Sequence, residues 1–410
     1  MRLLILTQVY PPEIHPTAVM VDELAGYLAA RNWDVRVCAG WPHHPHGRVY
    51  EGFRKRLRAV ERRRGVEVVR TWHWTNPSRA IPLRGAVLAS QALGNAVAAA
   101  LSPRADVILV FGPPVVGPVL AAPVARLRQA PLVNVIYDIY PDVAITAGKL
   151  RGATVIRAAR QMERMQYAAS RRIVVLSDGL RDRLAERGVP SERVEVVPIW
   201  IDTEEILPGN RDNSWRRALG IGPEKILFLY AGTIGVISGA TVVVEAAARL
   251  RERRDILFLF VGEGAEKQSV IRRAAELRLD NVRCLPFQPR ERLAEVQSAA
   301  DVGLVTLLPG MGRTSVPSKI LGYMAAARPV LASADADCDT GREVLGQQIG
   351  LLTPAGDSAA LAEAAIRLAE DPALRCKLGA NGRRRVVEHY ARPANLARFE
   401  RVLRDVVEGS

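Results

Sequence analysis

Cysteine is scarce and scattered in this sequence. Cys38, Cys284, Cys338 and Cys376 are the four among 410 residues, and none stands in CxxC or CxxH spacing. The chain therefore offers neither a zinc-ligand pattern nor a disulfide framework, and it fits a reducing cytosol. Long apolar runs are lacking too. MRLLILT, 1–7, stops at Gln8 and Pro11, too soon for a signal peptide. AVLASQALGNAVAAAL, 86–101, is shorter than a membrane span and contains Gln91 and Asn95. No short tandem repeat or low-complexity segment is found. What is present, 49% hydrophobic and 24% charged residues, is globular, and the length predicts two or three domains.

The formal net charge is +14, and its distribution is uneven. Residues 1–200 hold 28 Lys and Arg against 16 Asp and Glu, whereas the remainder is almost balanced. The densest run, FRKRLRAVERRR at 53–64, opposes seven basic residues with Glu61 alone. Such a patch suits an anionic surface, a membrane or a nucleic acid, or it is a solvated basic loop. No aromatics interleave the run and no recognition motif follows it, which disfavours nucleic acid.

Short apolar runs alternate with helical patterns. LLILT, DVRVCA, VEVVRTW, DVILVF, LVNVIY and RIVVLS make a first series, and ILFLYAG, ILFLFVG, VRCLPF, DVGLVTL, PVLAS and IGLLTP a second. Strands alternating with helices predict parallel sheets of βαβ units. The fold class expected is α/β, with two doubly wound domains facing each other. Their ranges are 1–200 and 216–385, joined by a polar, Pro- and Gly-broken linker at 201–215. A C-terminal helix, 386–410, shows helical spacing through Leu396, Phe399, Val402, Leu403 and Val406.

Ligands of open α/β sheets bind beyond the carboxyl ends of the strands. Three such loops stand out in the second half: GTIGVISG (232–239), GEG (262–264) and LPGMGRTSVPSK (308–319). Glycines let backbone N–H groups approach an anion, and Arg313, Thr314, Ser315, Ser318 and Lys319 add donors ahead of a helix begun near Pro317. Together they read as a diphosphate cradle. A plain turn after the first strand, and a helix capped by Ser315 or Ser318, are the structural alternatives. DADCDTG, 335–341, fails as an EF-hand because Gly341 is one place late and position twelve is Gly346. HHPH, 43–46, has no metal-ligand spacing. Asp138, between aromatics after a buried strand, is either a strained turn acid or a charge facing a ligand.

YPPEIHPTAVMVDELAGYLAARNWDVRVCAG resembles the opening of the family 4 retaining glycosyltransferases. WPHHPHGRVYEGF, IYDIYPDVAITAGKL, YAGTIGVISGA and SVPSKILGYMAAARPVLAS resemble its bacterial O-antigen, capsule and colanic-acid branch, including acetamido-fucose transferases. The resemblance covers nearly the whole chain. It implies the GT-B fold, with the C-terminal helix returning to the first domain. It also implies transfer of a sugar, with retention, from a nucleotide diphosphate sugar to a lipid-linked or polysaccharide acceptor. A UDP-linked, possibly acetamido, donor is the expectation, without a metal cofactor. The protein is expected at an anionic membrane surface, cytoplasmic and peripheral on the inner face of the plasma membrane, with no nucleic-acid partner. Asp138, Arg313 and Lys319 are carried over as catalytic. Gly232, Thr233, Glu263, Phe287, Thr314, Ser315, Val316 and Ser318 are carried over to the donor, and His15, His43 and His44 to the acceptor side. The family's two donor-loop glutamates fall at Thr314 and Gly322, its Arg and Lys near Thr233 and Ser238, its His near Tyr137, and its Gly-Gly around His15 and Pro16. A nucleotide-sugar 2-epimerase and a noncatalytic sugar-nucleotide-binding partner are the alternative functions.

Overall fold

A strand that is apolar at successive positions has to be covered on both faces. All six residues of Ile256–Val261 and all five of Leu132–Ile136 are buried accordingly. The computed structural model describes residues 1–13, 15–78, 80–112, 115–146, 148–313 and 318–409, without the side chains of Ile81 and Arg313. They form two compact units, Met1–Val197 with Leu396–Ser410, and Pro198–Asn395.

The first unit contains β1 (Arg2–Thr7), β2 (Asp34–Gly40), β3 (Arg58–Arg63), β4 (Val66–Thr71), β5 (Val107–Phe111), β6 (Leu132–Ile136), β7 (Arg172–Val175) and β8 (Val194–Val196). Their order is β3-β4-β2-β1-β5-β6-β7-β8. The sheet is parallel except that β3 runs antiparallel to β4. The second half of the basic run at 53–64 is thus an edge strand rather than a loop. The two strands are joined by Arg64 and Gly65, both at positive φ (50° and 80°), the backbone of a tight hairpin. β3 lacks an apolar run because it is a sheet edge, and its charges discourage further pairing. The closing helix, Arg392–Glu408, buries Leu396, Phe399, Val402, Leu403 and Val406. Phe399 stacks on Phe111 with ring centres 6.0 Å apart, and the Trp33 indole donates to Glu400 Oε1 at 3.2 Å.

The second unit contains β9 (Ile226–Ala231), β10 (Ile256–Val261), β11 (Val282–Leu285), β12 (Val302–Thr306), β13 (Val330–Ser333) and β14 (Gly350–Thr353). All are parallel, in the order β11-β10-β9-β12-β13-β14. The segment read as a linker, 201–215, belongs to this unit, with Ile206 and Trp215 in its core. Its polar residues mislead because they are spent internally. Arg211 pairs with the buried Asp301, and neighbouring Arg216, wholly buried, donates to Asp301 at 2.9 Å and to the carbonyls of Ala299 and Lys225 at 3.0 and 2.6 Å. In each sheet the strand order reverses once, at β1/β5 and at β9/β12. The crevice beyond the carboxyl ends at such a point is where α/β sheets take ligands.

Candidate functional site

At the β9/β12 reversal, the loops after β9 and β10 lie against each other with no room for side chains. Gly232, at φ 127°, presents its carbonyl oxygen where a Cβ on Gly262 would stand 1.9 Å away. Gly232 N–H donates to Val261 O and Ile234 N–H to Glu263 O, each at 2.9 Å. These two amides extend the sheet and are not free for an anion. The Thr233 carbonyl faces elsewhere: it accepts from the Tyr230 hydroxyl at 3.2 Å and from Lys319 Nζ at 3.3 Å.

Lys319 opens the helix Lys319–Ala325, and Tyr323 fixes that helix against β9 and β12. The ring of Tyr323 covers Gly303, where a Cβ would meet it at 2.1 Å, and its oxygen accepts the Ala231 N–H at 2.7 Å. The Lys319 ammonium consequently stands 3.4 Å from the Tyr230 ring centre. No carboxylate among the described residues pairs with it. Lys319 is half-buried, and burial lowers its pKa to about 7. A cation held this way lacks a counter-charge.

The other residues expected at the donor are engaged differently. Glu263 is tied to Lys267 at 2.5 Å, and Phe287 is exposed in the loop after β11. Ser318 precedes the Lys319 helix, but its hydroxyl does not cap it. Thr314, Ser315 and Val316 lie outside the described residues, as does the Arg313 side chain. Gly322 is packed against Gln297, whose amide nitrogen would be 2.8 Å from a Cβ at 322. The space for a glutamate there is occupied. Asp335, from the DADCDTG stretch, accepts the Gly310 N–H at 2.7 Å and so braces the loop after β12.

In the first unit, the loops beyond β1, β2 and β4 bring together one acid and four imidazoles. Glu13, 3% exposed, accepts the backbone N–H groups of Tyr10 (3.1 Å), His43 (3.0 Å) and His44 (2.9 Å). It therefore locks the HHPH loop onto the β1 loop. His43 Nδ1 lies 3.0 Å from the Trp41 carbonyl and 3.2 Å from His73 Nε2. A carbonyl only accepts, so His43 Nδ1 carries the proton and His73 Nε2 the lone pair. His15 caps the first helix, accepting the Thr17 N–H on Nδ1 at 3.2 Å, and meets His44 edge to face at 5.0 Å. Burial holds His15 below its ordinary pKa, and burial with neighbouring imidazoles lowers His44 to about 4. Burial and then His43 lower His73 to about 3. Burial thus disfavours charge on His15, His44 and His73. Asp138 follows β6, half-buried, and lines a small cavity with Asn134, Tyr140 and Gly112. Glu13 and His73 were not singled out in the sequence. The signal for His73 was position, just after the buried strand β4.

The family described as Glycosyl transferases group 1 matches residues 211–385, and that described as Glycosyl transferase 4-like domain matches residues 17–200. Over 353 residues the chain is 26% identical to the putative colanic acid biosynthesis glycosyl transferase WcaI of Escherichia coli strain K12, covering 83% of this chain and 85% of that protein. Sucrose-phosphate synthase of Thermosynechococcus elongatus superposes with a TM-score of 0.77 at 20% identity over 100% of both chains. Anabaena Alr3699/HepE in complex with UDP-glucose does so with a TM-score of 0.70 at 15% identity, over 99% of this chain and 100% of that one. At these identities the structural likeness is one of fold, GT-B.

Proposed function

This chain belongs to the group 1 and family 4-like glycosyltransferases. From that premise we propose that it moves a sugar from a UDP-sugar to a lipid-linked or polysaccharide acceptor, with retention, in cell-surface polysaccharide synthesis. The name of the WcaI relative and the UDP-glucose in the HepE complex support the pathway class and the donor class. The observation that carries the reading is Lys319, a cation at the β9/β12 reversal with which no carboxylate among the described residues pairs.

The chemistry follows from what must be stabilised. The acceptor hydroxyl oxygen bonds to the anomeric carbon as the bond to the β-phosphate oxygen breaks. Its proton passes to the departing diphosphate. Negative charge grows on that diphosphate, and the preorganised Lys319 ammonium stabilises it. The anomeric carbon becomes oxocarbenium-like, by analogy with glycoside hydrolysis. Arg313 shares the phosphate charge, and Lys319 with Arg313 makes a divalent metal unnecessary. The first unit takes the acceptor, with Asp138, His15, His43 and His44 on that side. Its basic surface rests on the anionic inner face of the plasma membrane.

The test is isothermal titration with UDP, GDP and dTDP, followed by UDP release from UDP-sugars with and without a membrane glycan fraction. UDP binding and acceptor-dependent release are expected. Absence of nucleoside diphosphate binding would reject the donor assignment, and a donor isomerised to another UDP-sugar without any acceptor and without release of UDP would indicate an epimerase.

A further inference from the structure

The first unit has a cavity at its own reversal, β1/β5, which the proposal above leaves unused. It has a volume of about 30 Å³ and is lined by Thr7, Gln8, Leu88, Gln91, Phe111 and Gly112 among others. Gln91 and Asn95 enter it from the helix Ile81–Ala100, 1% and 5% exposed. Asn95 is satisfied at both ends, donating to Thr7 O at 2.9 Å and accepting from the Thr71 hydroxyl at 2.9 Å. Gln91 is satisfied at one. Its amide nitrogen donates to the Gln8 carbonyl, which fixes the orientation of the group because a carbonyl cannot donate. Its Oε1 is buried and has no partner among the described residues.

We infer that this cavity is a subsite for the hydroxymethyl group of an acceptor sugar, with Gln91 Oε1 accepting its hydroxyl. A buried acceptor left without a donor is costly, so the site favours a ligand that brings an O–H. None of the residues lining the cavity is charged, which excludes a phosphate or carboxylate and selects the neutral, sugar end of an acceptor. Its volume is that of roughly two waters, enough for a carbon and an oxygen but not for a pyranose ring. The ring stays outside. The walls of Leu88 and Phe111 suit the methylene. Gly112 also lines the adjoining cavity that holds Asp138, so the subsite lies beside the proposed acceptor position. The inference rests on the reading that the first unit takes the acceptor.

The experiment compares sugars differing only in that hydroxyl: methyl β-D-galactopyranoside against methyl β-D-fucopyranoside, and methyl β-D-glucopyranoside against its 6-deoxy analogue. Binding to the full chain is measured by saturation-transfer NMR. In at least one pair the parent should bind on the order of tenfold more tightly than the deoxy sugar. Gln91→Leu should erase the difference while leaving UDP affinity unchanged. Equal binding within both pairs, binding of none of the four up to solubility, or a difference that survives Gln91→Leu would overturn the subsite. Should Gln91→Leu not fold, Ala92→Val narrows the cavity from its wall and should weaken the parent sugar; unchanged binding would overturn the inference equally. UDP binding that depends on Lys319 keeps the transferase reading intact whatever the sugars do, so the two can fail separately.

Discussion

The Lys319 ammonium lies 3.4 Å from the centre of the Tyr230 ring and 3.3 Å from the Thr233 carbonyl oxygen. With its pKa lowered to about 7 by burial, this cation is half-discharged near pH 7, and a diphosphate would recharge it. UDP affinity should accordingly fall as pH rises through about 7, by up to about tenfold for each further pH step of one, because binding must then take up a proton. Lys319→Arg should remove that fall. Lys319→Ala should weaken UDP much more than uridine, since the lost contact is to phosphate. Calorimetry across pH 6.5 to 9 measures all three. Equal loss for UDP and uridine would place the ammonium elsewhere.

The same group affects stability with a definite sign. Its folded pKa, about 7, is below the ordinary value of 10.5, so between them the unfolded chain binds more protons. The contribution of Lys319 to stability therefore rises with pH across that window. His44 and His73, lowered to about 4 and about 3 from 6.5, act in the acid range by the same rule. Stability should decline as pH falls below about 6.5 and continue to fall through pH 4. Denaturant midpoints of wild type and His73→Asn between pH 7 and pH 4 provide the check, the variant losing less. An identical decline in both would mean that His73 does not drive it.

Much of the fold was legible because parallel strands buried on both faces are written as unbroken apolar runs. ILFLFV and VILVF need no partner to be recognised. β3 was not legible: RAVERR has the composition of a solvated run, and only the positive-φ Arg64-Gly65 turn shows that it pairs. The site divides similarly. Lys319 could be named from the hydroxyl-rich turn ahead of it, but its lack of a counter-charge could not, because that depends on where β9 leaves Tyr230. Glu13 was hidden in YPPE, where nothing in the sequence says that its carboxylate will gather three amides from two loops.

Metal independence is the next expectation. Glu263 is committed to Lys267, and Asp335 to the Gly310 amide. Neither is available as a magnesium ligand without breaking a contact that shapes the loops. Transfer should keep its rate in EDTA. Loss of activity on chelation, restored by Mg²⁺ or Mn²⁺, would contradict the role given to Lys319 and Arg313.

The closing helix should be indispensable to the first unit. Phe399 is 1% exposed and stacked on Phe111 at the end of β5. Phe399→Ala should cost about 3–5 kcal/mol, as large-to-small changes of buried aromatics do. Glu400→Gln, which keeps an acceptor for the Trp33 indole but loses the charge facing Arg31 and Arg404, should cost much less. Urea denaturation distinguishes them, and a Phe399→Ala protein with unchanged midpoint would refute the packing argument.

Membrane binding tests the charge of the first unit and needs the structure to choose the residues. Arg63 and Arg64 reach Asp22 at 2.9 and 3.4 Å, so part of the basic run is already neutralised. Arg54, Arg56, Arg58 and Arg62 have no ion pair among the described residues. Among the described residues no helix is long and apolar enough to cross a bilayer. Each Arg near an anionic surface contributes roughly 1 kcal/mol, and the attraction decays within about 10 Å at 0.1 M salt. Four together are enough for reversible binding. In liposome flotation the protein should rise with vesicles rich in anionic lipid, detach as salt increases, and stay unbound when all four become Ser. The stripe of exposed Leu93, Val97 and Leu101 on the helix Ile81–Ala100 and just beyond it offers a competing, salt-insensitive route by shallow insertion. Binding that resists salt and persists in the four-Ser variant would assign the contact to that stripe and not to the arginines.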